Sequence, residues 1–285
     1  MADISQNNYH THITSQHRWF ELNLKEVWQY RDLIALFTKR NFTVSYKQTI
    51  LGPAWLFLTP LFSSIVQAFV FGGIAGIETV GIPMLLFYLC SNAIWAFFSS
   101  CLINNATTFT ANAYVFGKVY FPRLTTPISN VLSSMIRFGI QMIMVMMFMV
   151  YFLAKGTVDP NWAAWVMIPV ELVHLGILGM GFGIIISSLT TKYRDLVALV
   201  DFGVSAWMYL TPIVYPLSTV TEGWMKTILM INPVTSATEM LRYAILGKGT
   251  IDFGFYGLSW IITIAVAVVG IMIFNKVERN FMDTV

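Results

Sequence analysis

The segment 79–117, TVGIPMLLFYLCSNAIWAFFSSCLINNATTFTANAYVFG, contains no Asp, Glu, Lys or Arg. A helix needs about 20 mostly apolar residues to cross the hydrocarbon core of a bilayer. This segment is long enough for one such helix and a polar extension that begins near Asn104. It therefore predicts a fold built on membrane-spanning helices.

The composition of the whole chain agrees with this interpretation. Of the 285 residues, 56% are hydrophobic and 11% are charged, whereas an average soluble domain has about 25% charged residues. A soluble enzyme, a disordered protein and a disulfide scaffold are therefore disfavoured. The formal net charge of +3 does not indicate a nucleic-acid partner. We interpret Cys90 and Cys101, which share one apolar segment, as small buried hydrophobic residues.

Six membrane spans are predicted from the stretches that carry few or no charges. They cover about 52–76, 82–104, 127–154, 161–189, 196–215 and 253–275, and together they form an all-α transmembrane domain over 46–285. A transmembrane β-barrel would instead show strands of about ten residues with alternating apolar and polar positions. Residues 140–151 show no such alternation.

The distribution of basic residues predicts that both termini are cytoplasmic, because Lys and Arg are concentrated in cytoplasmic loops. With the N-terminus inside, the cytoplasmic side carries Arg18, Lys25, Arg31, Lys39, Arg40, Lys47, Lys118, Arg123, Lys192, Arg194, Lys276 and Arg279. The outer side carries Lys155, Lys226, Arg242 and Lys248. The excess on one side is large enough to set the orientation.

A cytoplasmic interface helix is predicted over 19–45, before the first span. Its apolar residues recur at spacings of three and four, which places them on one face of a helix; they are Phe20, Leu24, Val27, Tyr30, Ile34 and Phe37. Such a helix lies in the membrane surface. It serves either as a simple anchor or as a surface that also meets a cytosolic partner. Residues 1–18 are expected to form a polar tail that binds no metal.

The long segment between the fifth and sixth spans, about 216–252, predicts a re-entrant or interfacial pair of short helices on the outer face. Residues 224–231 and 234–246 are apolar enough to be helical, and Pro233 separates them. Irregular backbone at membrane depth is tolerated where protein or a water-filled cavity covers it. We therefore do not expect an additional full span.

No nucleotide-binding or catalytic motif is recognisable in the sequence. The string Gly247–Thr250, GKGT, resembles the end of a phosphate-binding loop but lacks the upstream glycine. Metal-ligand spacings and a nucleophile elbow are missing as well. We interpret Gly176, Gly179, Gly181 and Gly183 in the fourth span as points of close helix contact. The chain is expected not to be an enzyme on its own.

Arg137 and Glu171 are predicted to form an ion pair inside the membrane. Each lies about ten residues into its span, the third and the fourth, so that both reach a similar depth near the midplane. An unpaired charge there costs on the order of 3 kcal/mol. The alternative is a proton relay through Arg137 or Glu171 in a secondary carrier.

Several segments, in this order and spacing, resemble the membrane subunit of bacterial polysaccharide ABC exporters of the type-2 class. They are YRDLIALFTKRNFTVSYKQTILGPAWLFLTP at 30–60, KVYFPR at 118–123, YRD at 193–195, TPIVYP at 211–216, NP at 232–233, LRYAILG at 241–247 and FNKVERNFMDTV at 274–285. The resemblance covers about 19–285. One departure is Ser45, where the family pattern has a basic residue.

The resemblance implies a homodimer of six-helix subunits in the bacterial inner membrane, paired with two cytosolic nucleotide-binding subunits. ATP and Mg would be bound by those partners, with no cofactor in this chain. Such exporters move lipid-linked O-antigen, capsule or teichoic acid. The residues expected to couple this chain to the ATPase lie in the inner loops; they are Asn112, Lys118, Tyr120, Arg123, Tyr193, Arg194 and Asp195. Lys118 and Arg123 are alternatively expected to meet the lipid diphosphate.

Aromatic residues make up 15% of the chain, and some of them are candidates for the wall of a sugar channel. Tyr88, Trp95, Phe97 and Phe98 in the second span offer flat faces along which sugars could slide, although membrane spans are commonly aromatic in any case. Two other functions remain open: an ABC exporter of a small lipid or drug, and a secondary carrier without an ATPase.

Overall fold

A computed structural model describes residues 24–281, apart from Gln48, Lys192 and Arg194. The regular secondary structure of this part is all helical and includes no strand, which confirms the all-α prediction. The predicted tail at 1–18 and the first residues of the predicted interface helix lie outside the described residues. So does Arg194, one of the residues expected to contact an ATPase.

The helices of the described part follow one another with short connections. Their bounds are α1 Leu24–Gln29, α2 Arg31–Val44, α3 Trp55–Gln67, α4 Met84–Ala106, α5 Thr108–Phe116, α6 Thr125–Ala154, α7 Met167–Thr190, α8 Leu196–Tyr209, α9 Trp224–Ile231, α10 Pro233–Leu246 and α11 Phe253–Phe281. A 3₁₀ turn, Gly52–Ala54, precedes α3, and a π-helical turn, Ala68–Ile74, continues it. Another 3₁₀ turn, Trp162–Val166, leads into α7.

Within the described residues, five helical segments are long and apolar enough to cross a membrane. They are Gly52–Ile74, Met84–Ala106, Thr125–Ala154, Trp162–Thr190 and Phe253–Val277. Each matches a predicted span to within a few residues. The protein is therefore a multi-pass membrane protein.

The remaining predicted span, 196–215, is not one continuous helix. Its helix α8 has 14 residues and ends at Tyr209, which gives roughly 21 Å at 1.5 Å per residue against a hydrocarbon core of about 30 Å. Pro212 explains the early end, because proline disfavours helical backbone in the residue before it and lacks an amide proton. The count of six spans therefore stays a prediction.

Helix α4 lies at the centre of the bundle, where it contacts α3, α6, α7, α8 and α10. Its closest neighbour is α7, because two glycines of α7 bring the helix backbones together. A Cβ atom at Gly183 would lie 2.5 Å from Cβ of Asn105 and 2.7 Å from the carbonyl oxygen of Leu102, and one at Gly179 would lie 2.8 Å from Cβ of Cys101. These contacts confirm the interpretation of the glycines as points of close helix contact.

The two ends of the bundle differ in structure. We call the end that holds α2, α5 and the segment 117–124 the α5 end, and the opposite end, which holds α9 and α10, the α10 end. At the α5 end an aromatic cluster joins α2, α5 and α11 through Phe37, Phe109, Phe116, Phe121 and Phe274. It fixes the surface helices to the ends of the spanning helices.

At the α10 end, α10 is buried against the bundle and does not cross it. The guanidinium of Arg242 is 98% buried. It donates to Glu239, to Ser91 of α4 and to the carbonyl of Pro212, and it lies 4.4 Å from the ring centroid of Phe87. Asn232 caps the start of α10 by accepting from the amide of Val234. With 14 residues α10 is too short to span, and its re-entrant character stays a prediction.

We expect Gly183→Ala to lower the thermal unfolding temperature of the protein in detergent. The added methyl group would overlap α4, and overpacking of this kind costs about 1–3 kcal/mol. Gly139→Ala in α6 is the matched control, because a Cβ atom there meets nothing within 4 Å and alanine favours a helix over glycine. Equal unfolding temperatures for the two variants would contradict the close contact between α4 and α7.

Candidate functional site

The short helix α5 forms the centre of the surface at the α5 end. It follows α4 after the single residue Thr107. The backbone amide of Phe109 donates to Ser187 Oγ of α7 at 3.2 Å, and the ring of Phe109 stacks on Phe274 of α11 with centroids 4.6 Å apart. Helix α5 is therefore held against two spanning helices at once.

Side-chain amides connect this surface to the rest of the bundle. We call Asn41, Asn104, Asn105, Asn112 and Asn130 the amide cluster. Asn41 Nδ2 donates to Asn130 Oδ1 at 2.8 Å, which joins α2 to α6. Asn130 Nδ2 donates to Asn105 Oδ1 and to the carbonyl of Asn104, both at 3.1 Å, which joins α6 to α4. Hydrogen bonds between polar side chains hold helices together inside membranes.

Helix α2 also contacts α5 through a charged side chain. Arg40 donates to the Oδ1 atom of Asn112 at 3.3 Å and lies 4.8 Å from the ring centroid of Phe37. Asn112 is 92% buried and donates in turn to the carbonyl of Thr108. The predicted coupling residue Asn112 therefore lies beneath the surface, where it links the two surface helices.

The outer face of the α5 end presents aromatic and basic side chains. Tyr114 is 73% exposed and Tyr120 is 78% exposed. The ammonium of Lys118 donates to the hydroxyl of Tyr114 and lies 3.7 Å from its ring centroid. Arg123 is instead buried, 5.6 Å from the ring centroid of Phe116. Of these residues, Tyr114 was not among the predicted coupling residues, although it lies one helical turn before Lys118.

Tyr193 and Asp195, from the second predicted coupling segment, follow the end of α7 and so lie at the α5 end of the molecule. Tyr193 is about half exposed, and its amide donates to the carbonyl of Leu189 at 3.1 Å. Asp195 is exposed and precedes α8. The α5 end thus combines both segments that sequence analysis predicted to face an ATPase.

The predicted channel aromatics lie inside the protomer, so they do not line a surface of this chain. Tyr88, Trp95, Phe97 and Phe98 are all at least 93% buried. The hydroxyl of Tyr88 donates to the carbonyl of Val214, and Phe98 packs against Trp207 of α8 with ring centroids 5.3 Å apart. The prediction failed because α4 is apolar on most of its circumference. Its sequence pattern therefore does not indicate which face is exposed.

The predicted ion pair between Arg137 and Glu171 is not formed. Arg137 donates to Ser133 Oγ at 3.2 Å, while the Glu171 carboxylate contacts His174 Nδ1 at 3.0 Å and accepts from the Tyr256 hydroxyl. The number of residues from the span ends predicts that the two side chains lie at similar depths, but it does not predict the directions in which they face around their helix axes. The Arg137 side chain is bonded to Ser133 of its own helix, whereas Glu171 contacts Tyr256 of α11.

Glu171 belongs to a buried network that the sequence analysis missed. His174 Nε2 lies 3.1 Å from Ser259 Oγ and 3.0 Å from Thr263 Oγ1. Both hydroxyls donate their protons to backbone carbonyls, of Pro233 and of Ser259. His174 therefore links Glu171 of its own helix to two hydroxyl groups of α11. The available signal was His174 itself, a polar residue three positions after Glu171 in an apolar span.

The Glu171–His174 network is enclosed by protein on all sides. Ser259, His174 and Glu171 resemble a catalytic triad in their order of contacts, but their side chains are at least 99% buried. The network therefore joins α7, α10 and α11 instead of presenting a nucleophile to a substrate.

Comparison with known proteins places these features in a family context. Residues 32–246 match the family model described as "ABC-2 type transporter". Two O-antigen export system permease proteins RfbA from Klebsiella pneumoniae are 29% and 26% identical to the chain, each over 88% of its length and 94% of their own. Another RfbA, from Myxococcus xanthus, is 25% identical over 75% of the chain and 80% of its own length.

We expect a double-mutant cycle on Glu171→Ala and His174→Ala to give a coupling free energy of about 0.5–3 kcal/mol, because the two side chains share one buried network. The free energy of unfolding in detergent micelles is the measured quantity. The matching cycle on Glu171→Ala and Arg137→Ala serves as the control and should give a coupling near zero. A larger coupling in the second cycle would restore the predicted ion pair.

Proposed function

This chain belongs to the ABC-2 type transporter family, and from that membership we propose that it forms the channel of an exporter that moves lipid-linked polysaccharide across the bacterial inner membrane. The observation that carries the proposal is its similarity to the O-antigen export permeases, which extends over 88% of the chain. The family model matches residues 32–246, which include spanning helices, surface helices and α10. This extent supports a transport function like that of the other family members. O-antigen, capsule and teichoic acid are the candidate cargoes.

We further propose that the α5 end is cytoplasmic and binds a nucleotide-binding subunit. The basic residues at this end include Lys39, Arg40 and Lys118, and such residues are concentrated on the cytoplasmic side. Exposed tyrosines beside a lysine suit a protein interface, since aromatic side chains are enriched there. ATP and Mg would be bound and used in the partner, because this chain has no recognisable phosphate-binding loop.

The contacts beneath this surface support transmission of movement into the membrane. A displacement of α5 would be transmitted to α7 and α11 through the contacts of Phe109, and to α2 through the hydrogen bond between Asn112 and Arg40. Asn130 connects α2 to α4 and α6. Helices packed this closely shift as rigid bodies and do not deform continuously. Closure of two ATPase subunits would therefore displace spanning helices relative to each other.

Two helices with wide exposed faces are the proposed surface for a second copy of the chain and for the channel. Helix α3 exposes Thr59, Phe62 and Ser63, the π-helical turn after it exposes Phe69, and α8 exposes Asp201, Phe202, Ser205 and Tyr209. A carboxylate such as that of Asp201 is costly against lipid, which favours a protein neighbour or a water-filled channel. In a homodimer these aromatic residues take the channel role that was predicted for the second span.

We expect Tyr114→Ala to weaken binding of the nucleotide-binding subunit at least tenfold, because an exposed aromatic at an interface centre commonly contributes 2 kcal/mol or more. Tyr151→Ala is the matched control at the α10 end, where Lys155 lies 4.5 Å from the ring centroid of Tyr151. Binding is measured with the purified chain in nanodiscs. Unchanged binding in Tyr114→Ala would contradict the proposed interface.

Deletion of the gene for this chain should abolish polysaccharide on the cell surface and leave lipid-linked glycan inside the inner membrane. Complementation with the intact chain should restore export only when an active ATPase partner is present. The purified chain alone should hydrolyse no ATP. Export that continues without any ATPase would favour a secondary carrier and contradict the proposal.

A further inference from the structure

Arg137 is a charged residue at membrane depth without an acidic partner. It lies in α6, which begins at Thr125, so that its Cα atom is roughly 18 Å along the helix at 1.5 Å per residue. Its Nε atom is buried without a hydrogen-bond partner, and its side chain donates to Ser133 Oγ. Among the residues that the structure describes, no carboxylate pairs with it. Ionisable residues inside a membrane are usually functional.

The turn of α6 before Arg137 carries two uncharged polar residues, Ser133 and Ser134, and it is connected to α4. Ser134 contacts Ser100 of α4 with their Oγ atoms 2.9 Å apart, and Asn104 Nδ2 donates to Ser100 Oγ at 3.0 Å. The carbonyl of Asn104 accepts from Asn130, which is bonded to Asn41 beside Arg40. A path of hydroxyl and amide groups therefore runs from Arg40 at the α5 end to Ser134, which lies one helical turn before Arg137.

This path opens to the surface of the protomer. Ser100, Asn104 and Arg137 are partly exposed, whereas Cys101, Asn105 and Ser134 beside them are buried. Asn92 continues the partly exposed polar face of α4 toward the α10 end, where it donates to Ser64 and Gln67 of α3. A ligand that moves along this face of α4 would pass Asn104 and Ser100, and Ser100 is bonded to Ser134 in the turn of α6 before Arg137.

The groups along this path suit an anion. A guanidinium can donate two parallel hydrogen bonds to a phosphate, and hydroxyl and amide groups add further donors. A cation is disfavoured, because an arginine lies at or near each end of the path and its hydrogen-bonding side chains include no carboxylate. In α-helices long side chains run back toward the N-terminus, so the guanidinium lies in the half of the membrane next to the α5 end.

We propose that Arg137, with Ser100 and Asn104, binds the phosphate groups of the lipid-linked cargo as they enter the membrane. The assignment rests on the proposed function, which supplies a cargo that carries phosphate between its lipid and its glycan. A phosphate that leaves the headgroup layer loses water, and Arg137 replaces part of that hydration with a charge-assisted hydrogen bond. An ordinary phospholipid offers the same phosphate chemistry and is distinguished by experiment.

The test uses this chain in complex with its nucleotide-binding subunit in phosphatidylcholine nanodiscs, with geranylgeranyl diphosphate as the probe. Arg137→Gln should raise the dissociation constant of the probe at least tenfold, whereas Arg137→Lys should change it less than about threefold. Gln141→Ala, one helical turn further along α6, is the matched control and should bind like the unmodified chain. Geranylgeraniol, which lacks the diphosphate, should bind to none of these complexes.

Three outcomes would overturn the inference. The first is equal binding of the probe by the unmodified and Arg137→Gln complexes, both with normal unfolding temperatures. The second is displacement of the probe by an equal concentration of phosphatidylglycerol, which would assign the site to phospholipid. The third is normal export by Arg137→Gln in cells in which deletion of the gene abolishes export; that result would leave the proposed function intact. If Arg137→Gln does not assemble, Asn104→Ala takes its place with the same expected direction.

Discussion

The backbone contact between α4 and α7 is the constraint on which the rest of the structure depends. Gly179 and Gly183 allow α7 to approach so closely that α4 is enclosed by its neighbours. Enclosure buries the aromatic residues of α4 and leaves one narrow polar face, from Asn92 to Asn104, partly exposed. It also fixes the position at which α4 ends, and therefore the position of α5 immediately after it.

The polar contacts of the protein are concentrated at three levels along the helices. The amide cluster lies at the α5 end, the Glu171–His174 network joins α7 to α11, and the buried Arg242–Glu239 pair holds α10 to the opposite end. Each of them connects at least three helices or loops. Hydrocarbon offers no competing hydrogen bonds, so these contacts also determine which helices pack as neighbours. Apolar packing alone is less selective, because most apolar helix faces can pack against one another.

The position of a residue along its helix could be predicted from the sequence, whereas the direction in which it faces around the helix axis could not. Five spans and the glycine contacts were predicted correctly, because length and hydropathy carry that information directly. The exposure of Tyr88 and the pairing of Arg137 were predicted wrongly, because both depend on helix rotation, and a helix that is apolar on nearly all sides does not encode it. The extent of α8 depended on Pro212, whose effect on the helix end is local and was overlooked.

The buried Glu171–His174 network has a consequence for how the spanning helices can move. Its contacts to Tyr256, Ser259 and Thr263 would all have to break before α11 could slide or rotate against α7. Hydrocarbon offers no replacement partners, so each buried group left unsatisfied would cost about 1–3 kcal/mol. Helices α7 and α11 therefore behave as one rigid body, and a rearrangement that opens a path through the membrane has to occur at other helix boundaries.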